Sequence, residues 1–295
     1  MEVFLTGATG YIGTSVAEEL QRAGHKVTGL ARTPEKAKHL ETRGVRATLG
    51  DLLKPETIAT SAQAAEGVIH TASTNDANAS QADAAVVRAI LNVLAGTGKP
   101  FIYTSGVWVL GSTGDKIADE HAPVNPTPLV AFRPAIEQEV LGSKDSGVRS
   151  IVIRPALVFG RGGSIPKMLA DSAREAGAAR YVGDGKNHWP FVDVDDLAAL
   201  YVLALEKAPP GSLYHAADGP SYRVLEVAEA ASIGAGAKGK TQSWPLEEAR
   251  KTLWAFADAL VLDQQVSGEK ARKELGWSPR AGSVLDDLKT GSYRR

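Results

Sequence analysis

The chain of 295 residues contains no cysteine, and its charges are almost balanced. Without cysteine there are no disulfides, no thiolate metal ligands and no cysteine nucleophile. The 33 basic and 34 acidic side chains give a net charge of -1, whereas a surface that binds nucleic acid or an anionic membrane is usually basic. We therefore expect a small-molecule substrate as the partner, with no nucleic acid and no membrane.

Long apolar runs are scarce as well. The longest, residues 197–205, is far too short to span a bilayer. The sequence begins without the charged and apolar regions of a secretory signal, and its six histidines lack the H-E-x-x-H spacing of a zinc site. These features predict a cytoplasmic protein without a bound metal.

Three of the 30 glycines stand in one informative segment, TGATGYIG at residues 6–13. It follows a short apolar run and opens a helix-like stretch. A strand, a glycine turn and a helix in this order place a dinucleotide pyrophosphate at a helix N-terminus. Gly7 permits the tight turn, Gly10 leaves room for phosphate and Gly13 allows close helix packing. The segment predicts a nicotinamide dinucleotide site formed by Gly7, Thr9, Gly10, Tyr11, Ile12 and Gly13.

Short apolar runs alternate with amphipathic stretches through the first half of the chain. We expect strands at residues 27–30, 45–49, 67–70, 101–104 and 150–153. Continuous apolar strands separated by helices indicate a parallel sheet covered on both faces, and right-handed connections make it doubly wound. The predicted fold class is α/β, a Rossmann-type doubly wound parallel sheet with a smaller C-terminal substrate lobe.

The alternation changes after Phe159, where a run of glycines interrupts it. We expect residues 1–160 to form the dinucleotide-binding domain, with 191–216 returning to it. Residues 161–190 and 217–295 are expected to form the substrate-binding lobe.

Further segments carry a family resemblance. They are GDL at 50–52, YTS at 103–105, RPALVFG at 154–160, VGDG at 182–185, FVDVDDLA at 191–198 and LGWSP at 275–279. With the glycine segment, they resemble the extended short-chain dehydrogenase/reductase superfamily, of the NAD(P)-dependent epimerase/dehydratase type, over nearly the whole chain. The resemblance implies a Rossmann cofactor domain, a substrate lobe and an active site between them. It also implies a homodimer through helices around residues 83–96 and 134–142.

The segment after the second predicted strand bears on the choice of cofactor. NAD-binding members of the superfamily carry an acidic residue there, whereas this chain has Arg32 and no acid. Because a guanidinium pairs with a 2′-phosphate that an acid would repel, we expect NADP(H) to be preferred over NAD(H). The alternative is that Arg32 is only a solvated surface residue.

By the same resemblance, Asp51 reaches the adenine amino group, although it could instead cap a turn. Further cofactor contacts are implied for Leu52, Thr71, Ala72, Ser73, Thr104, Arg133, Pro155 and Val158.

The catalytic pattern of the superfamily is incomplete in this chain. Most members carry a Tyr and a Lys four residues apart on one helix face, with a Ser or Thr nearby. In register with that motif, the Lys position falls on Arg133 and the Tyr position on Leu129, and Gly106 stands where many members have the hydroxyl. Arginine stays charged and is a poor proton shuttle. Ser105 and Arg133 remain the catalytic candidates, and His188 and Trp189 are candidate substrate contacts.

Three functions are compatible with these residues. The first is an NADP(H)-dependent reductase that acts on a small carbonyl-type substrate without the usual Tyr–Lys relay. The second is a sugar-nucleotide epimerase or dehydratase, which would depend on the missing Tyr. The third is a non-catalytic NADP(H)-binding sensor. The acidic residues Asp193, Asp195 and Asp196 could form a cation site, but we expect Asp195 or Asp196 to cap a helix instead.

Overall fold

A computed structural model describes residues 1–74 and 76–294, so Arg295, the last residue of the predicted lobe, lies outside the described residues. The strands, in chain order, are β1 Glu2–Thr6, β2 Lys26–Ala31, β3 Arg46–Leu49, β4 Gly67–His70, β5 Pro100–Thr104, β6 Ile117–Ala118, β7 Arg149–Pro155, β8 Leu157–Phe159, β9 Ala179–Val182, β10 His188–Trp189, β11 Phe191–Asp193, β12 Ser212–Ala216, β13 Tyr222–Arg223, β14 Thr241–Trp244 and β15 Gln265–Val266.

The α-helices are α1 Tyr11–Arg22, α2 Pro34–Glu41, α3 Glu56–Ala64, α4 Ala79–Leu94, α5 Arg133–Gly142, α6 Ser164–Ala176, α7 Val194–Lys207, α8 Val224–Gly234, α9 Leu246–Leu253, α10 Ala255–Leu260, α11 Glu269–Leu275 and α12 Val284–Thr290. Short 3-10 turns lie at Val107–Leu110, Pro128–Val130 and Ser143–Ser146. None of the helices in the described part of the chain is long and apolar enough to cross a membrane.

Seven of the described strands form one parallel sheet in the order β12-β7-β5-β4-β1-β2-β3. Its central strands are buried on both faces, whereas the edge strand β3 has no buried residue. Leu5 and Ile69 belong to one apolar cluster, whereas Phe4 and Val68, their neighbours in sequence, belong to the cluster on the opposite face. Continuous apolar strands are what a sheet with helices on both sides requires. The predicted doubly wound α/β sheet is confirmed.

The order in which successive strands join the sheet reverses at β1. The chain runs from β1 to β2 and β3 on one side, then crosses to β4 on the other side. The loops after β1 and β4 therefore separate and leave a crevice at the carboxyl edge of the sheet, which is where ligands bind in such folds. Gly7 follows β1 directly and Thr71 follows β4 directly.

The C-terminal half contains a second apolar cluster, which includes Leu169 of α6, Val227 of α8 and Leu288 of α12. Strand β12 pairs with β7 in the main sheet, with Tyr214 opposite Ile153. The division into two domains at the expected boundaries stays a prediction. So does the homodimer: helices α4 and α5 pack together, and Arg88 forms an exposed ion pair with Glu139 at 3.0 Å.

The expected cap of helix α7 was wrong. The carboxylate of Asp193, not Asp195 or Asp196, accepts hydrogen bonds from the backbone N–H groups of Asp195 at 2.8 Å and Asp196 at 3.3 Å. Asp196 accepts instead from the backbone N–H of Arg280 and Ala281. Helix α7 begins at Val194, before the apolar run that starts at Leu197. Because the N-cap is the residue before the first helical residue, it falls on Asp193. No group of three metal-ligating side chains occurs among the described residues.

Candidate functional site

A cavity of about 680 Å³ lies at the carboxyl edge of the sheet. It brings together most of the predicted cofactor residues, namely Gly7, Thr9, Gly10, Tyr11, Ile12, Gly13, Arg32, Asp51, Leu52, Thr71, Ala72, Ser73, Thr104 and Arg133, and also Ser105. Five further residues that were not predicted as site residues also line it, namely Leu30, Lys36, Gly50, Thr74 and Ser164.

The glycine turn forms the floor of this cavity. Gly7 has a φ of +77°, and a Cβ added there would lie 2.5 Å from the Thr71 hydroxyl oxygen. A Cβ added at Gly13 would collide with the Gly7 carbonyl oxygen. The turn is closed by the Gly10 N–H, which donates to that same carbonyl at 2.8 Å. Helix α1 can therefore start directly against the turn, with no side chain between them.

The start of helix α1 suits an anionic ligand. Gly10 occupies the N-cap without a side-chain cap, and no acidic residue lies in the first turn. The first N–H groups of a helix lack intrahelical partners and carry partial positive charge, so a pyrophosphate is favoured at this end of α1. The residues present thus fit a dinucleotide.

Two cationic side chains line the cavity at the end of β2. Arg32 and Lys36 are both exposed, and the hydroxyl of Thr33 caps helix α2 by accepting from the Lys36 N–H at 3.3 Å. On the adjacent wall, the Asp51 carboxylate accepts from the Leu53 N–H at 3.0 Å. Asp51 therefore stabilises a turn and also borders the cavity, so both of its expected roles remain compatible with its position.

A second cavity of about 720 Å³ adjoins the first. The two share Ile12, Ser73, Ser105, Arg133 and Ser164 in their walls. Pro155 and Val158, which were expected near the cofactor, line the second cavity. The common wall is where groups bound in the two cavities would meet.

Ser105 and Arg133 stand at this junction with unused hydrogen-bonding capacity. Ser105 is 6% exposed, and its side-chain oxygen has no hydrogen-bond partner among the described residues. Arg133 is the first residue of α5 and donates from Nη1 to the Thr104 carbonyl at 3.0 Å. Its buried Nε has no partner in the described part of the chain. Buried polar groups are normally paired, so these two atoms mark a place where a ligand can accept hydrogen bonds.

Two tyrosines beside Thr104 are bonded within the core. Tyr103 donates its hydroxyl to Asp83 at 2.6 Å, and Asp83 also contacts His70 at 2.9 Å. The hydroxyls of Tyr201 and Thr104 lie 2.6 Å apart. Burial raises the pKa of Tyr103 and of Tyr201, so neither tyrosine ionises readily. These contacts give Tyr103 and His70 structural roles in the core.

His188 and Trp189 lie away from the two adjoining cavities. The ring Nδ1 of His188 is 2.9 Å from Asp263, and Trp189 donates its indole N–H to the Leu260 carbonyl at 3.1 Å. Trp189 is buried in the second apolar cluster. Neither residue lines the walls of these two cavities, and their role as substrate contacts stays a prediction.

A loop at residues 160–164 contributes Ser164 to the walls of both cavities. Arg161 and Ser164 have positive φ values of 51° and 65°, which non-glycine residues adopt only when their surroundings impose it. The constraint comes from two tyrosines. Tyr11 donates to the Gly160 carbonyl at 2.7 Å, and the hydroxyl of Tyr293 accepts from the Gly160 N–H at 2.8 Å.

An ion-pair bridge holds the same loop from outside. Arg161 contacts Glu18 of α1 at 2.6 Å and Asp195 of α7 at 2.7 Å. These ion pairs and the tyrosine contacts link the loop to α1, to α7 and to Tyr293 in the C-terminal segment. The position of Ser164 at the junction thus depends on residues that are distant in sequence.

Comparison with known proteins identifies the class. Residues 3–217 match the family model described as the NAD dependent epimerase/dehydratase family. A protein of Schizosaccharomyces pombe described as uncharacterized is 35% identical over 304 residues, which cover 99% of this chain and 100% of that protein. The chain belongs to the NAD dependent epimerase/dehydratase family, which confirms the resemblance drawn from its motifs.

Two further relatives are informative. The 2-alkyl-3-oxoalkanoate reductase of Stenotrophomonas maltophilia is 28% identical over 330 residues, covering 98% of each chain. The structure of UDP-glucose 4-epimerase from Thermus thermophilus in complex with NAD has a TM-score of 0.82 at 20% identity and covers 99% of this chain and 98% of that chain. At this identity the structural likeness shows the fold alone.

Replacing Gly13 by alanine is expected to lower the free energy of unfolding by about 1–3 kcal/mol, because a methyl group at this position must displace the backbone of Gly7. Urea unfolding measures the effect. Gly142→Ala is the matched control, since a Cβ there meets no atom within 4 Å. Equal stability of the two variants would show that the close contact at Gly13 is not required.

Removing the hydroxyl of Tyr293 tests whether the C-terminal segment stabilises the site. Tyr293→Phe leaves the buried Gly160 N–H without its partner, which costs about 1–3 kcal/mol. We expect lower thermal stability and severalfold weaker NADPH binding by calorimetry. Tyr181→Phe is the control, because the Tyr181 hydroxyl is not one of the groups bonded to Gly160. It should change neither the thermal stability nor the NADPH affinity. NADPH affinity unaltered in Tyr293→Phe would contradict a role for the loop in cofactor binding.

Proposed function

We propose that the protein is an NADP(H)-dependent reductase that acts on a carbonyl group of a small molecule. The observation that carries the proposal is the wall between the two cavities, where Ser105 Oγ and Arg133 Nε are buried without partners among the described residues. A carbonyl oxygen placed there accepts from both. The name of the Stenotrophomonas maltophilia relative, a reductase of an oxoalkanoate, supports this reaction class.

The proposed roles follow from the chemistry of the two side chains. The NADPH nicotinamide supplies a hydride when bound in the first cavity. Ser105 and Arg133 stabilise the negative charge that develops on the substrate oxygen, and donors fixed in advance are effective in this role. A guanidinium is a poor proton donor in proteins. The proton for the product oxygen therefore comes through the Ser105 hydroxyl or a water molecule beside it.

The preference for NADP(H) is part of the proposal. Arg32 and Lys36 place two positive charges on the cavity wall after β2, and the acidic residue that lines this cavity, Asp51, lies on the adjacent wall. A 2′-phosphate is stabilised by such cations, whereas a ribose with a free 2′-hydroxyl gains little from them.

A sugar-nucleotide epimerase, the alternative function, has weaker support. None of the seven tyrosines in the chain is followed by a lysine four residues later. Tyr11, which lines the first cavity, donates its hydroxyl to the Gly160 carbonyl, and Tyr103 and Tyr201 are bonded in the core. Leu129 lines the second cavity at the position where the motif would have its tyrosine. A reaction that depends on a tyrosine proton relay is therefore disfavoured, while carbonyl reduction can use the Ser105–Arg133 pair.

Reversing the charge at Arg32 tests the cofactor preference. Arg32→Asp is expected to weaken NADPH binding by roughly tenfold to a hundredfold, because a charge-assisted hydrogen bond contributes about 1.5–3 kcal/mol, and to leave NADH binding unchanged or stronger. Lys186→Asp is the control, since the Lys186 side chain is 84% exposed in a distant turn. Equal loss of affinity for both cofactors in Arg32→Asp would contradict a 2′-phosphate contact.

Removing the Ser105 hydroxyl tests the reductase proposal itself. With a panel of ketones, aldehydes and enones, Ser105→Ala should lower kcat for NADPH oxidation by roughly 10²–10³-fold, the cost of one oxyanion donor. NADPH affinity should remain close to wild type. Ser80→Ala, which removes a hydroxyl elsewhere on the second cavity, should keep kcat. No NADPH oxidation by the wild-type protein with any carbonyl compound would refute the proposal.

A further inference from the structure

The second cavity offers very little charge to a ligand. Among its lining residues, the titratable side chains are Asp76, which is exposed, and Arg133 at the junction. Arg133 already donates to the Thr104 carbonyl. A nucleoside diphosphate is normally held by several cationic groups or by free helix N-termini, and an exposed carboxylate adds repulsion. The cavity therefore lacks the residues that would hold the diphosphate of a sugar nucleotide.

Aromatic and aliphatic side chains form most of the wall instead. Trp108 and Phe256 pack edge to face, with ring centroids 5.8 Å apart and an interplanar angle of 66°. Both rings line the cavity, and Trp108 is three residues after Ser105 in the chain. Aromatic side chains bind other rings in this geometry and contribute beyond simple burial of area.

The apolar wall of the second cavity extends to the protein surface at Leu129. Leu129 lines the cavity and is 36% exposed. It lies on the 3-10 turn Pro128–Val130, which packs against helix α10, the element that carries Phe256. A ligand in the cavity would therefore cover part of the Leu129 side chain. Burial of such surface is favourable in proportion to its area.

We propose that the substrate is an uncharged carbonyl compound whose body is an aromatic or branched hydrocarbon group. Its oxygen accepts from Ser105 and Arg133, and its apolar body packs on Trp108 and Phe256. This inference rests on the proposed reductase function for the orientation of the carbonyl. The recognition of an apolar body depends only on the cavity wall.

Calorimetric binding to the full chain in the presence of NADP⁺ tests the inference without turnover. The probes are benzylideneacetone, an uncharged aryl enone, and UDP-glucose. We expect benzylideneacetone to bind at least tenfold more tightly than UDP-glucose, since a desolvated aromatic body adds contact area and ring packing on Trp108 and Phe256. Trp108→Ala should weaken its binding by roughly tenfold, whereas Trp108→Phe should retain most of it.

A matched control distinguishes loss of the Trp108 contact from a general loss of folded structure. Trp254 is 78% exposed and does not line the cavity, so Trp254→Ala should keep the affinity for benzylideneacetone. Retention of affinity by Trp108→Phe shows that the fold tolerates substitution at this position. Tighter binding of UDP-glucose than of benzylideneacetone would overturn the inference, and so would unchanged benzylideneacetone affinity in Trp108→Ala.

Steady-state kinetics distinguish failure of this inference from failure of the proposed function. Benzylideneacetone that binds through Trp108 but is not reduced, together with acetophenone and cyclohexanone that are also inert, would overturn the reductase and leave the apolar site standing. NADPH oxidation with charged carbonyl compounds only, such as pyruvate, would support a reductase and overturn the apolar substrate class.

Discussion

The contact between Gly13 and the carbonyl of Gly7 is the constraint on which the site depends. It lets helix α1 begin directly beside the end of β1, so that the first N–H groups of the helix open into the cavity. A side chain at either glycine would separate turn and helix, and the anion-binding end would move away from Thr71 on the neighbouring loop. Because β1 is also where the sheet reverses direction, this contact lies at the one edge where a crevice is available.

The chemistry is concentrated where the two cavities meet. A polar, cation-bearing cavity on one side holds the features that suit a phosphorylated dinucleotide, and an apolar cavity on the other side suits an uncharged substrate. Ser105 and Arg133 are the polar groups on the common wall with unpaired buried atoms. The loop at 160–164 positions Ser164 on the same wall through contacts from Tyr11, Tyr293 and Arg161. The substrate side therefore depends on the C-terminal segment as much as on the sheet.

The sheet and the lining of the first cavity could be predicted because both depend on local patterns. Apolar runs mark buried strands, and loops that follow strands in parallel sheets gather at one edge. Helix α3 has a weak apolar pattern in the sequence because only Ile58 and Ala62 of its nine residues are buried. Tertiary packing brings Lys36 and Ser164 to the cavity, and no local sequence pattern predicts this position. The contacts of His188 and Trp189 with residues 260–263 are equally long-range, so their separation from the junction could not be read from sequence.

The most direct test of this account is a calorimetric titration of the wild-type protein with NADPH, NADP⁺ and NADH under one buffer condition. The account predicts that both phosphorylated forms bind, and that each binds roughly tenfold or more tightly than NADH, because Arg32 and Lys36 line the cavity after β2. Equal or tighter binding of NADH would contradict the cofactor preference. The absence of binding by all three would contradict the assignment of the first cavity as a dinucleotide site.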